Sequence, residues 1–218
     1  MVTNKSKAEA LAEYYAENGW RTQPFTITYL EDADPDTWKP QPNQPDAWND
    51  VRILWRPKEG KIIVSCSATT EPGISAVNNP INSNGTFRIG LDTLFKEAWQ
   101  IGRHITQHSN QLALVQCGEV IGYRDADKDN IRIGDKAYVG SNFGINQHTT
   151  GNDTGSPAPE KVGGWSYGCL VGKHSSTHYN LFMPACQESG QKKFDTVVID
   201  ASKFQIWLQS KDYTLLPN

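Results

Sequence analysis

Cys169 lies in the run Trp165-Ser166-Tyr167-Gly168-Cys169, next to glycine-rich stretches, and His148 stands 21 positions before it. A thiol in tight-turn surroundings with an imidazole upstream is the pattern of a Cys/His nucleophilic site. The thiolate is the reactive form, and a neighbouring imidazolium or backbone amides lower a thiol pKa toward neutrality. Glycine at 168 lets a substrate approach the sulfur closely. Acyl transfer through a thioester needs donors aimed at the developing negative oxygen, and the amides of Gly168 and Cys169 are the natural ones. Ser166 either orients a substrate carbonyl or shapes the turn, because serine is equally a turn residue. Trp165 is an aromatic wall beside the nucleophile or packs beneath the loop. Asn146 precedes His148 by two, so on a strand the two share a face directed at the cleft that receives Cys169.

Papain-like cysteine peptidases place the cysteine before the histidine, and here the order is reversed. Histidine, a gap of 17 residues, then Ser166-x-Gly168-Cys169 resembles the L,D-transpeptidase catalytic (YkuD-type) family, whose motif is histidine, a gap, then Ser/Thr-His-Gly-Cys. The resemblance extends upstream through Ile62-Ile63-Val64-Ser65, Thr69-Thr70-Glu71-Pro72-Gly73, Asn79-Pro80 and Gly85-Thr86-Phe87-Arg88-Ile89. It is closer to a phage-like and cyanobacterial subgroup, through Ala113-Leu114-Val115-Gln116, Tyr123-Arg124-Asp125, Phe143 to His148 and Gly168-Cys169-Leu170-Val171-Gly172, and covers roughly residues 26 to 200. Two positions depart from the family pattern. Tyr167 takes the place of the histidine before Gly-Cys, and Val171 that of an arginine two residues after the cysteine, leaving Lys173 as the nearest cation.

The resemblance implies a mainly β fold, a β-rich α+β arrangement with a mixed sheet or sandwich and a few short helices. It also implies an enzyme of the peptidoglycan stem peptide: Cys169 attacks an amide carbonyl and forms a thioester, while His148 takes the thiol proton and returns it to the leaving amine. An amine acceptor then gives a crosslink, and water gives hydrolysis. Gly168 and Ser166 complete the catalytic turn, Asn146, Trp165 and Tyr167 are the candidate substrate contacts, and no cofactor is called for. The competing class is a non-enzymatic module, a cell-wall-binding or phage tail or baseplate component, in which Tyr167 and Val171 mark decayed chemistry.

With 21 basic against 24 acidic residues the net charge is −3, which offers no basic field to nucleic acid. No apolar run is long enough to span a bilayer. The glutamates in Ala8-Glu9-Ala10-Leu11-Ala12-Glu13 spoil a signal-peptide core. The expectation is cytoplasmic synthesis and action at the bacterial wall or periplasm after delivery by phage or contractile-device proteins. Four cysteines do not make a disulfide framework in a chain of 218 residues, and Cys66 and Cys117, in apolar runs, are expected in the core.

The elements that must position the site read as a helix over residues 5–17, a strand from Phe25 to Leu30, and a proline-rich loop from Asp32 to Asn49 whose Trp38 and Trp48 either anchor it or form part of a binding rim, anchoring being the favoured reading. Short strands follow at Val51–Trp55, Lys61–Ser65, Thr86–Ile89, Leu112–Gln116, Glu119–Arg124, Lys136–Val139 and Phe194–Ile199, with helices at Leu94–Gly102 and Ser176–Cys186. Residues 1–24 form an N-terminal helical appendage and 25–218 the catalytic domain.

For cations, Asp125, Asp127 and Asp129 alternate as in calcium loops, with Asp135 following. Position 6 is Asn130 rather than glycine and position 12 is Lys136 rather than glutamate, which favours plain hairpin chemistry. His104 with His108 lacks the glutamate partner of a zinc motif, and His174 with His178 reads as a solvated helix start.

Overall fold

The computed structural model describes residues 2–217. Strands β1 (Thr3–Lys5), β2 (Thr26–Glu31), β3 (Asp50–Arg56), β4 (Lys61–Thr69), β5 (Thr86–Ile89), β6 (Thr93–Ile105) and β7 (Asn110–Gln116) are followed by β8 (Val120–Asp125), β9 (Lys136–Gly140), β10 (Gln147–Thr149), β11 (Leu170–Gly172), β12 (Lys193–Asp200) and β13 (Tyr213–Leu215). Helices are few and short: α1 (Lys7–Glu17), α2 (Ile74–Asn78), α3 (Ser175–Thr177), α4 (Met183–Glu188) and α5 (Ala201–Ser210), with a π-helical turn His178–Phe182 joining α3 to α4. The fold is mainly β.

Its sheet is mixed and closes on itself, where the sequence left sheet and sandwich open: β10-β11-β4-β3-β2-β12-β6-β7 form a barrel, with parallel pairing at β10–β11 and β2–β12. Strands β5-β8-β9 form a separate antiparallel sheet, and β1 pairs in parallel with β13. Alternation explains the two cores. Ile27 and Tyr29 of β2 and Leu54 of β3 point into the barrel, while Leu30, Val51, Ile53 and Trp55 point outward beneath the helices. There α1 contributes Ala10, Leu11, Tyr14 and Tyr15 to the same cluster as Phe204 and Leu208 of α5. Helix α1 begins at a capping box, with Ser6 Oγ accepting the Glu9 amide and Glu9 Oε2 accepting the Ser6 amide. Both α1 and the Trp38 and Trp48 loop are thus packed onto the barrel, Trp38 donating its indole N–H to Ser65 Oγ.

The segment expected as a helix from Leu94 to Gly102 is strand β6, paired on one side with β12 and on the other with β7. Phe95, Ala98 and Trp99 are buried at helix-like spacing because a bulge interrupts the strand: Glu97 takes φ +51, and the register to β12 shifts between Phe194 and Thr196. Helix α5, absent from the sequence expectations, starts where the Asp200 side chain caps the amides of Ser202 and Lys203. Cys66 is half-buried against the barrel core, whereas Cys117 lies past the end of β7 in the turn to β8, also half-buried, outside both cores.

Candidate active site

Parallel pairing of β10 with β11 closes the 21-residue gap between His148 and Cys169. The register sets Gln147 against Leu170 and His148 against Val171, so the residue before β11 lies beside the residue before β10. The Asn146 amide points at Cys169 Sγ at 3.4 Å, and the Leu170 amide donates to the Asn146 carbonyl at 2.9 Å.

The turn feeding Cys169 is held from within. Ser166 is fully buried; its hydroxyl donates to the Cys169 carbonyl at 2.8 Å and accepts the Gly168 amide at 3.2 Å. Ser166 therefore shapes the turn and does not reach a substrate. The Gly168 amide is spent on Ser166, which corrects its assignment as an oxyanion donor and leaves that role to the Cys169 amide. Glycine at 168 answers a backbone demand: φ is +120°, and a Cβ there would sit 2.5 Å from the Phe87 carbonyl oxygen.

His148 is buried, with Nδ1 2.9 Å from the Thr149 carbonyl oxygen, which fixes the proton on Nδ1. Its Nε2 is a lone-pair nitrogen, buried and without a hydrogen-bond partner among the described residues. One nitrogen of His148, one of His104 and Cys169 Sγ all lie within 4.8 Å of one another. His104, on β6, stacks on the His148 ring at 4.1 Å between centroids and 7° between planes. Asn146 sets its tautomer. Asn146 Oδ1 accepts the Gln116 amide at 2.9 Å, so Nδ2 donates to His104 Nδ1 at 2.9 Å and leaves the proton on Nε2. Asn146 is thus a positioning residue for His104 and not the substrate contact expected of it. His104, carried on β6, thereby adds a second imidazole beside His148.

That tautomer also bears on metals. His104, His148 and Cys169 are close enough to share an ion. His104 Nδ1, however, is engaged by Asn146, which is itself anchored on Gln116, so its lone pair is already taken. In the acidic loop, Asp125, Asp127 and Asp135 converge, with oxygens within 4.8 Å of one another. Asp129, expected in that set, instead accepts the Ile131 amide at 2.7 Å.

Inside the barrel, Arg52 of β3 is fully buried and fastens both strands of the site. Its Nη2 donates to the carbonyls of His148 at 2.7 Å and Leu170 at 2.9 Å, its Nε to Tyr29 Oη at 2.7 Å, and its Nη1 lies 3.2 Å from His178 Nδ1. A Cβ at Gly172 would meet Nη1 at 2.6 Å, so glycine makes room for the guanidinium. His178, expected at a solvated helix start, is buried under Arg52 and donates Nε2–H to the Leu112 carbonyl at 2.8 Å. Burial, then the Arg52 charge, holds it down to about 3. His174, its expected companion, is exposed.

A cleft of about 870 Å³ opens over Cys169, His148 and His104. Trp165 and Tyr167 line it at 36% and 39% exposure, in place to meet a ligand, and Phe87, Tyr138 and Phe143 form apolar wall. Trp165 also borders an adjoining hollow of about 290 Å³ shared with both imidazoles.

Burial pushes the Cys169 thiol up to about 11, against the Asn146 amide that lowers it. Burial and then neighbouring His104 hold His148 well below its ordinary value, and burial lowers His104. Thiol and imidazole both rest neutral at pH 7, not as an ion pair. The expected result is that thiolate absorbance attributable to Cys169, taken as wild type minus Cys169→Ala, titrates with a midpoint near 11. A midpoint below 7 would establish an ion pair instead.

Comparison of the chain with family models, with curated proteins and with solved structures gives no match. What the fold and the site define by themselves is a β-barrel with a buried Cys/His pair at the floor of an open cleft.

Proposed function

We propose that this chain is a cysteine-dependent acyl-transfer enzyme acting on the stem peptide of peptidoglycan through a thioester at Cys169, as an L,D-transpeptidase or L,D-peptidase. One observation carries the reaction type: His148, whose buried Nε2 has no hydrogen-bond partner among the described residues, places a ring nitrogen within 4.8 Å of a buried thiol on the floor of a cleft. The substrate class rests on the sequence resemblance alone, as does delivery to the wall by phage or contractile-device proteins.

The chemistry follows from the neutral pair. The thiol proton passes to His148 Nε2 as sulfur attacks the carbonyl carbon, so charge separates only when substrate is present. The resulting oxyanion faces the Cys169 amide and the His104 Nε2–H, and a donor of this kind is worth ~10²–10³-fold in rate. Collapse breaks the C–N bond, and His148 returns its proton to the leaving amine. An incoming amine or water then attacks the thioester, giving its proton to His148, and sulfur leaves to recover the thiol.

A binding-module reading draws on the thiol near 11, since a thiol that stays protonated is a poor nucleophile by itself. Incubation with purified disaccharide-peptide muropeptides, read by mass spectrometry, separates the two. Loss of a stem residue, with or without a new crosslink, is expected. Muropeptides bound and recovered intact would leave a wall-binding module.

A further inference from the structure

The loop from Asp125 to Asp135 joins β8 to β9 on the sheet outside the barrel. Asp125 is fully buried, and its Oδ1 has no hydrogen-bond partner among the described residues. Its other oxygen accepts the Asn130 amide at 3.2 Å, with Arg88 Nε 3.8 Å away. Arg88 does not neutralise it closely: Nη1 is committed to Glu71, Nη2 to Asn130 Oδ1 at 3.3 Å, and Nε makes no hydrogen bond. Asp135 Oδ2 is a second buried carboxylate oxygen without a partner among the described residues. Carboxylate oxygens of Asp125, Asp127 and Asp135 lie within 4.8 Å of one another.

Three carboxylates gathered this closely repel, and two buried, unpartnered oxygens each cost desolvation with nothing in return. A hard divalent cation removes both penalties together, because it takes carboxylate oxygen as its preferred ligand. We propose that Asp125, Asp127 and Asp135 form a binding site for a divalent cation of the calcium class. Carboxylates carried on one irregular loop suit calcium's flexible coordination better than the strict octahedron of magnesium. Asn130 takes φ +63, so asparagine supplies the left-handed turn that glycine gives in other calcium loops. Burial and then the charges of Asp125 and Asp127 raise the Asp135 pKa, in keeping with mutual repulsion.

An ion there also braces the cleft. Asp125 pairs in register with Thr86, Arg124 donates to the Gly85 carbonyl at 3.0 Å, and Tyr138 rides on β9; Gly85, Thr86, Arg124 and Tyr138 all line the cavity over Cys169. The site is independent of the acyl-transfer proposal, and its readout is binding.

The test uses the full chain stripped with chelator, melted with calcium chloride up to about 10 mM and with magnesium chloride in parallel, alongside titration calorimetry with calcium alone. For a site of roughly 10⁻⁴–10⁻³ M affinity, Tm should rise by about 3–8 °C with calcium and clearly less with magnesium. Calorimetry should show one ion per chain. Asp127 is exposed, so Asp127→Asn should fold normally and lose at least about tenfold in affinity. Asp129→Asn should respond as wild type does. A Tm unchanged by calcium together with no heat of binding overturns the proposal; so does a calcium response retained in both Asp127→Asn and Asp135→Asn.

Discussion

Cys169→Ala is expected to lower turnover of muropeptides by at least about 10⁴-fold while the protein remains folded, the scale of losing a covalent nucleophile whose partners act only through it. The thiol points into a cleft, and removing one sulfur from a turn braced by Ser166 and Gly168 opens little cavity, so Tm should move by no more than a few degrees. Activity above about 1% of wild type, on protein shown by mass to lack the thiol, would remove Cys169 from the chemistry.

Arg52→Met should be the most damaging change away from the cleft. Arg52 is buried with no carboxylate paired to it among the described residues, its donors meeting two backbone carbonyls, a tyrosine and a histidine. Methionine fills part of the volume and returns none of those bonds. Hydrogen bonds from a charged donor contribute about 1.5–3 kcal/mol each, offset by relief from burying the charge, so a net loss of about 3 kcal/mol is expected. In a chain of this size that lowers Tm by about 6–12 °C. Because the same guanidinium holds the carbonyls of His148 and Leu170, kcat should fall below wild type even at temperatures where the variant is folded, with KM little altered. Arg52→Lys, which keeps the charge and loses the planar fork, should share the kcat defect. A variant melting within about 2 °C of wild type at full kcat would show that the strands hold register without Arg52.

Much of the site was legible because its signals are local. Gly168 and Ser166 mark a tight turn, and the His148 to Cys169 spacing survives as two short parallel strands side by side. Regular alternation exposed β2, β3, β4 and β12. Helix-like spacing misled at β6, where the bulge at Glu97 replaces a period of two with apolar positions at 95, 98 and 99. That error hid His104, whose place in the site depends on β6 running antiparallel to β7 and so returning to β10. Arg52 was invisible for a related reason: its partners lie 23 to 126 residues away, gathered only by closure of the barrel. Tyr167 and Val171 gave no sign that an imidazole and a guanidinium enter the site from remote strands, as His104 and Arg52 do. Asp135 joins the acidic cluster and Asp129, which accepts the Ile131 amide, does not, because the loop folds back from β8 to β9 and brings position 135 beside 125.

The central claim is that a thioester forms on Cys169 with His148 as the base. Its most direct measurement is intact-mass and peptide-mapping analysis of protein quenched in acid seconds after mixing with a muropeptide at pH 7. The account predicts a hydroxylamine-labile acyl group on the peptide carrying Cys169, absent from Cys169→Ala and, in His148→Ala, accumulating only at alkaline pH as the thiol ionises unaided. Turnover with no adduct on Cys169, or an adduct forming equally in wild type and His148→Ala across pH, would contradict it.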